Sequence, residues 1–283
     1  MTLMTRPLSQ LFLAIVKFVK IAILVAYKDL SPFREIRNAR MRQQTVKTQN
    51  CSFEIFYVSG RAATRRVAKF SSFIERKRFT RLGLFLRVID SLLLFRLRFA
   101  VPKIKLEGKN LQVDCPDELR FLGAKMLSAY KYCLDQKFDY VFKTTVSSII
   151  VLDNLDSYLV KSIHKPYVYS GKLINPQYKT FASGSCLLMD QVALQRLWKK
   201  RCFLDYSLLD DVAIGKVMRK VGIQVSDLAS ISLTQVNQVK DLDLKELSET
   251  LHFRCKSDET PRADIQIIQA LIKRLESVRC VYI

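Results

Sequence analysis

Two adjacent aspartates, Asp210 and Asp211, place the strongest constraint on how this chain can fold. The apolar pair Leu208-Leu209 precedes them, and residues 212–221 follow with apolar side chains at helical spacing. Two carboxylates cannot both enter an apolar core without a large desolvation cost, so at least one must face water, a cleft or a cation. A plain role at a helix start, where carboxylates accept free N–H groups and face the positive end of the helix dipole, is the alternative.

Apolar runs of strand length alternate with stretches of helical periodicity along most of the chain. The predicted strands are residues 51–60, 138–143, 167–171, 182–189 and 251–256. The predicted helices are residues 116–136, a segment resuming near residue 153, and residues 190–198, 212–221 and 261–277. Alternation of this kind predicts an α/β sandwich around a mixed sheet.

The positive charge of the chain is concentrated in its N-terminal third. Residues 1–110 hold 23 Lys and Arg against 6 Asp and Glu, whereas residues 111–283 hold 24 against 20. Such a region attracts polyanions, and its cations are interleaved with long apolar runs, which favours an anionic membrane surface over nucleic acid. Because zinc-finger spacing and RNA-recognition signatures are also absent from the sequence, nucleic acid is not an expected partner.

Residues 11–27 are strongly apolar apart from Lys17 and Lys20, which lie one helical turn apart. This pattern predicts a helix in the membrane interface, within a membrane-associating helical segment (residues 1–44) that precedes a catalytic domain (residues 45–283). An ordinary amphipathic helix packed on the domain and a signal-anchor are the alternatives.

The compartment follows from charges, cysteines and one sequon. Cations after the apolar run and seven cysteines without a CxxC pair favour a membrane-associated protein on the cytoplasmic face. Most of the cysteines are expected to be small buried hydrophobic residues. The sequon Asn50-Cys51-Ser52 and the short apolar N-terminus fit the alternative, a Golgi-lumen protein with an N-terminal signal-anchor.

Three segments carry a resemblance to a known family. They are the predicted helix followed by residues 138–143 (FDYVFK), Tyr178-Lys179-Thr180 followed by residues 181–190 (FASGSCLLMD), and residues 208–223 (LLDDVAIGKVMRKVGI). In these segments, and over about residues 51–260, the chain resembles the GT-A glycosyltransferases of the β-1,3-galactosyltransferase and Fringe type. The resemblance implies a GT-A-like three-layer sandwich around a mixed, mainly parallel sheet, here with a basic, apolar N-terminal helical extension.

The resemblance also implies a reaction and its substrates. A sugar would pass with inversion from a nucleotide-sugar donor, foremost a UDP-sugar, to a glycan or lipid-linked acceptor. Asp211 would be the catalytic base, and Asp210 would orient it or bind an acceptor hydroxyl. The implied donor-binding residues are Lys143, Thr144, Thr145, Ser147, Ser148, Ser183, Gly184, Ser185, His252, Arg254 and Lys256.

One departure from the family concerns the metal. Where the family has an aspartate triplet, residues 144–148 read TTVSS and are expected to expose hydroxyls. Hydroxyls are poor ligands for Mn²⁺ or Mg²⁺, so a metal-independent or weakly metal-dependent site is expected. Alternation along residues 251–256 points His252, Arg254 and Lys256 to one side, and Arg254 and Lys256 would neutralise the leaving diphosphate.

Plainer interpretations of these residues remain open. The hydroxyl loop can lack a catalytic role, His252 can be a half-buried structural residue, and residues 183–185 can be a tight turn. In that case the chain would be a catalytically inactive carbohydrate- or lipid-binding protein with a transferase fold.

Overall fold

The computed structural model describes residues 18–27, 37, 45–61, 101–174, 180–259 and 263–283. The strands are β1 (Val19–Ala26), β2 (Thr45–Lys47), β3 (Cys51–Arg61), β4 (Ile104–Glu107), β5 (Asn110–Pro116), β6 (Tyr140–Thr145), β7 (Ser148–Ile150), β8 (Tyr169–Ile174), β9 (Phe181–Asp190), β10 (Ser226–Asp227), β11 (Ser230–Leu233) and β12 (His252–Cys255). The helices are α1 (Leu122–Asp135), α2 (Leu152–Ser162), α3 (Gln191–Lys199), α4 (Asp210–Lys220), α5 (Val236–Asp241), α6 (Leu244–Glu249) and α7 (Asp264–Ser277), with 3₁₀ turns at Leu119–Phe121 and Arg201–Phe203.

Within the described ranges, nine strands form one mixed sheet. The order is β10-β8-β9-β6-β1-β3-β5-β4, and β2 pairs with β3. The central strands β6, β1, β3 and β5 are mutually parallel, whereas β9 runs antiparallel to both β6 and β8. A second sheet of β11, β12 and β7 lies apart from it.

Each face of the large sheet is covered by its own core. On β1, Ile21 and Ile23 point into one core, and Ala22 and Leu24 point into the other. The core around Ala22 is closed by α1, α3 and α4, and the core around Ile21 by α2, the small sheet, α5, α6 and α7. The predicted α/β sandwich around a mixed sheet is therefore confirmed.

The first described strand corrects a prediction. Residues 19–26 were predicted to be helical, but they form β1, which pairs with β3 on one side and β6 on the other. A strand with both faces covered reads as a continuous apolar run, which periodicity cannot distinguish from a buried helix. Lys20 lies at the start of this strand, where its side chain reaches solvent.

β1 covers only part of the predicted N-terminal extension, residues 1–44. β1 precedes the predicted domain boundary at residue 45, yet it is a central strand of the sheet. Residues 1–17, 28–36 and 38–44 lie outside the described residues, as do the basic residues 62–100, so membrane association by these segments stays a prediction. Among the helices that the structure describes, none has the length and apolar character needed to cross a membrane.

The other predicted elements are present with shifted ends. The helix predicted from residue 116 begins as α1 at Leu122, after β5 and a 3₁₀ turn, and α4 begins two residues earlier than predicted, at Asp210. The seven cysteines are free thiols, five of them buried, as expected for small apolar residues.

Candidate functional site

A cavity of about 300 Å³ opens at the carboxyl ends of β1 and β6. In open α/β sheets, ligands bind outside the carboxyl ends of parallel strands. The lining includes Ala26 and Tyr27 after β1, Leu122 and Lys125 on α1, Thr145 and Ser147 after β6, and Arg254 on β12. The cavity therefore combines an apolar side with hydroxyl and cationic groups.

One wall of the cavity carries a buried ion pair that sequence patterns did not indicate. Lys125 Nζ donates to Asp117 Oδ1 at 2.7 Å and to the main-chain oxygen of Tyr27 at 3.4 Å. Both side chains are buried. The sequence indicated this buried cation only by placing a lysine next to Met126 on the apolar face of α1. That indication is weak because lysine stems often cover apolar surface.

The opposite wall is built by Arg254. Its Nη1 donates to the hydroxyls of Thr145 and Ser148, and the second hydroxyl lies 3.3 Å away. Antiparallel pairing of β12 with β7 sets Arg254 directly opposite Ser148, and the Thr145 and Ser148 hydroxyl oxygens are 3.1 Å apart. A guanidinium therefore binds two hydroxyls of the stretch at residues 144–148.

The expectation that residues 144–148 expose their hydroxyls is wrong for most of them. Thr144, Ser147 and Ser148 are buried, and Thr145 is half-buried. The reason is that β6 continues to Thr145 and β7 starts at Ser148, so the connection is only a two-residue turn. Ser147 nevertheless lines the cavity.

The donor set around Thr145 does not fit Mn²⁺ or Mg²⁺. These cations prefer carboxylate oxygens, whereas here they would meet neutral hydroxyls beside the Arg254 guanidinium, which repels them. In the part of the chain that the structure describes, no group of three or more His, Cys, Asp and Glu side chains could hold a metal ion. The surroundings of the Thr145 hydroxyl are thus already cationic.

Asp210, the first of the two central aspartates, is satisfied by a buried cation. Its Oδ2 accepts from Lys143 Nζ, and the exposed fractions are 4% for Asp210 and 1% for Lys143. Lys143 lies on β6 and Asp210 in the first turn of α4, so the ion pair joins these two elements. Of the environments expected for a carboxylate here, namely water, a cleft or a cation, Asp210 takes the cation, and its side chain is buried.

Asp211 is half-buried and is held by main-chain groups. Its Oδ2 accepts from the Gly184 N–H at 2.9 Å, and its Oδ1 accepts from the Val212 N–H at 2.8 Å. An ionised carboxylate has about four lone-pair positions, so each oxygen keeps acceptor capacity for a proton. The side chain is therefore oriented without being saturated.

Gly184 permits this close approach of β9 to α4. A Cβ there would lie 3.0 Å from Lys143 Nζ and 3.1 Å from Asp211 Oδ2. The flanking Ser183 and Ser185 are half-buried, with hydroxyl oxygens 3.1 Å apart. Because β9 is antiparallel to β6, residues 183–185 lie at the carboxyl end of β6, beside the carboxylate pair.

Two tyrosines next to the pair are locked in the neutral form. Burial, and then the charge of Asp210, raise the pKa of Tyr130 well above its ordinary value. Burial also raises the pKa of Tyr169 to about 12. Neither phenol can accept a proton from an acceptor hydroxyl near neutral pH.

The three predicted residues of β12 and its end occupy different environments. His252 is fully buried, with Nδ1 2.8 Å from the Ser230 hydroxyl. Lys256 is exposed beyond the strand. Of the three, Arg254 is the one that lines the cavity, so the structure does not bring His252 and Lys256 to it.

Residues 146–229 match the model of a known protein family, described as Galactosyltransferase. The matched range includes Ser183 to Ser185, Asp210 and Asp211, but ends before Arg254, and it spans less than a third of the chain. No curated protein matches the chain. The similarity supports a glycosyltransferase related to the galactosyltransferases, with a nucleotide sugar and a glycan as its general kinds of substrate.

Proposed function

We propose that this protein is an inverting, hexosyltransferase-type enzyme of GT-A-like fold that moves a sugar from a nucleotide sugar, UDP-linked, to a hydroxyl of a glycan or lipid-linked acceptor. The proposal is carried by one observation: the cavity with Arg254 and the Asp210–Asp211 pair lie at the carboxyl end of the same strand, β6. A parallel sheet centre followed by antiparallel β9 supports a GT-A-like arrangement.

The donor is assigned to the cavity. Its volume of about 300 Å³ is at the lower end of the range for ligand pockets and suits part of a nucleotide. Arg254 provides a fixed positive charge for the diphosphate, and guanidinium groups bind phosphate oxygens in pairs. Arg254 thus takes the place of a divalent cation in stabilising the leaving group.

The acceptor hydroxyl is assigned to Asp211. Lys143 and Thr145 point to the same face of β6 and their Cα atoms are about 6.6 Å apart, so the carboxylate pair adjoins the donor cavity. Asp211 accepts the hydroxyl proton while that oxygen bonds to the anomeric carbon. The bond from that carbon to the diphosphate oxygen breaks, and its electron pair leaves on the nucleotide beside Arg254.

Asp210 and Lys143 act behind Asp211 as positioning residues. Their buried ion pair fixes the first turn of α4, and Lys143 Nζ also approaches Gly184, whose N–H orients Asp211. Lys143 and the buried Thr144 therefore support the donor site from behind it.

Replacement of Asp211 by Asn tests the base. We expect the rate of transfer at saturating donor to fall about 10²- to 10⁴-fold, the usual contribution of a general base, with donor affinity unchanged within about twofold. Asp241→Asn, an exposed carboxylate on α5, is the matched control. Transfer by Asp211→Asn at the wild-type rate would remove the base assignment.

A panel of nucleotide sugars, titrated with and without EDTA, tests the donor site. Arg254→Gln should weaken donor binding about 10- to 100-fold, the loss expected for a charge-assisted contact, and Lys240→Gln should not. EDTA should leave wild-type binding unchanged. Binding that requires Mn²⁺, or survives in Arg254→Gln, would contradict the role of Arg254.

A catalytically inactive carbohydrate- or lipid-binding protein is the second candidate. It is favoured by the two main-chain N–H groups that already occupy Asp211, an arrangement that also suits a purely structural carboxylate. Binding of a nucleotide sugar with neither transfer nor slow donor hydrolysis would select it.

We infer the cytoplasmic face of a membrane as the location, with the Golgi lumen as the alternative. The supporting observation is that Asn50 Nδ2 donates to Asp156 Oδ1 at 3.1 Å while Cys51 is fully buried. A glycan on Asn50 would disrupt this contact, so the fold suits a compartment in which the sequon is not glycosylated.

A further inference from the structure

The edge of the sheet opposite the cavity gathers several chain segments. At this edge the Asp139 N–H donates to Lys20 O at 2.9 Å, and the Gln191 N–H donates to Asp139 O at 3.0 Å. The Asp190 N–H donates to Val168 O at 2.9 Å, which brings in the segment between α2 and β8. We call this surface the amino edge: residues 18–20, 47–50, 131–139, 161–168, 190–203 and 219–225.

Cations dominate the solvent-facing side chains of the amino edge. Exposed lysines come from four separate segments: Lys20, Lys47, Lys161, Lys165, Lys199 and Lys200. The carboxylates nearby are engaged with protein groups. Asp139 accepts from the Lys20 N–H, Asp190 caps α3, and Asp135 pairs with Lys131.

Aromatic rings lie among these cations. The Arg201 guanidinium is 4.4 Å and Lys131 Nζ is 5.5 Å from the ring centroid of Trp198. Lys220 Nζ lies 4.6 Å and Lys200 Nζ 5.9 Å from the Phe203 ring, which is 49% exposed. Ile163 and Phe18 at the same edge are 56% and 46% exposed, so apolar side chains project between positive charges.

We propose that the amino edge docks on an anionic lipid bilayer. Cations from many segments suit a sheet of anionic headgroups, and projecting Phe203 and Ile163 suit the boundary between headgroups and acyl chains. Phe18 is exposed at this edge and continues directly into residues 1–17, so the basic, apolar start of the chain leaves the domain on the docking side. The inference does not depend on the proposed sugar transfer.

Docking in this orientation fixes where the cavity lies. β6 has six residues, which at about 3.3 Å each separate the two edges of the sheet by roughly 20 Å. The cavity then opens away from the bilayer. An acceptor hydroxyl must stand off the membrane by at least that distance, as in an extended glycan.

The protein contains its own reporter for this surface. Trp198 is the single tryptophan of the chain and lies between Lys131 and Arg201 at the amino edge. With the full chain, we expect Trp198 emission to be quenched by brominated phosphatidylcholine in vesicles that also contain phosphatidylserine. The same brominated lipid in purely neutral vesicles should give little quenching.

Charge reversal completes the test. Lys199→Glu/Lys200→Glu should weaken binding to the phosphatidylserine vesicles about 30-fold, from about fivefold per lysine. Lys240→Glu/Lys245→Glu on α5 and α6 is the matched control and should change binding less than threefold. Three results would overturn the proposal: vesicle binding without a Trp198 response, an equal loss in the control, or a Trp198 response to RNA or DNA that vesicles do not displace.

Discussion

The buried pair Lys143–Asp210 gives the sharpest stability prediction. Lys143 is 1% exposed and Asp210 is 4% exposed, and each is the ionic partner of the other. Lys143→Met removes the cation and strands the carboxylate, whereas Asp210→Asn keeps the shape and strands the ammonium. Both single changes leave an uncompensated buried charge.

The magnitude follows from burial. Removing one partner of a buried pair costs about 3–5 kcal/mol, whereas replacing both partners is often close to neutral because the desolvation cost disappears as well. We therefore expect about 3–5 kcal/mol of destabilisation for each single variant. The double variant Lys143→Met/Asp210→Asn should recover most of that loss, giving a coupling energy of at least about 4 kcal/mol.

Urea unfolding followed by far-ultraviolet circular dichroism measures the free energy of unfolding of the wild type, the two single variants and the double variant. Lys131 and Asp135, an exposed pair on α1, form the matched control. The coupling of such a surface pair is about 0.3–0.5 kcal/mol. Single variants of Lys143 or Asp210 that lie within about 1 kcal/mol of wild type would show that the pair is not buried and charged as described.

Three further changes probe other parts of the molecule. Burial acts to raise the pKa of Asp156, but hydrogen bonds from Thr48, Asn50 and Cys51 lower it below its ordinary value of 3.8, so Asp156→Asn should cost about 1.5–3 kcal/mol at pH 7. Because a lowered pKa stabilises the fold above the ordinary value, the gap in urea midpoint between the two proteins should close as the pH falls below 3.8. Gly171→Ala places a Cβ 2.1 Å from a main-chain oxygen of β9, so its melting temperature should drop more than that of Gly184→Ala, where the close atoms are side-chain ends. Gly184→Ala should instead lower the transfer rate, because the new Cβ displaces the carboxylate oxygen of Asp211; equal rates would count against that role.

Local signals located most elements of the fold. Apolar periodicity is a property of a few neighbouring residues, which is why α4, β3 and β6 were predicted within about two residues of their observed ends. The same signal failed at β1, where six consecutive buried residues suit a strand or a helix equally. Only pairing with β3 and β6 decides between them, and both partners lie far along the chain.

Some features of the candidate site were visible in the sequence, and others appear only in the folded structure. The Asp210–Asp211 pair, the small residues at the start of β9 and the hydroxyl run at residues 144–148 were visible in the sequence, because each is a short run of residue types. The Lys125–Asp117 ion pair was not visible, because a single lysine in an apolar stripe usually lays its aliphatic stem on the apolar surface and keeps its charge in water. The expected exposure of the hydroxyls failed since the second sheet folds over them.

By itself, the sequence determined that at least one of two adjacent carboxylates had to face water, a cleft or a cation, because desolvation forbids burying both unpaired. The tertiary structure decided among these: Lys143, 67 residues earlier, pairs with Asp210 and leaves Asp211 to the Gly184 N–H. It also decided that Arg254, 109 residues after Thr145, contacts the hydroxyl stretch at residues 144–148. A short run of sequence shows which charged groups need a partner. Partners this far apart in the chain are chosen only when strand order brings them together.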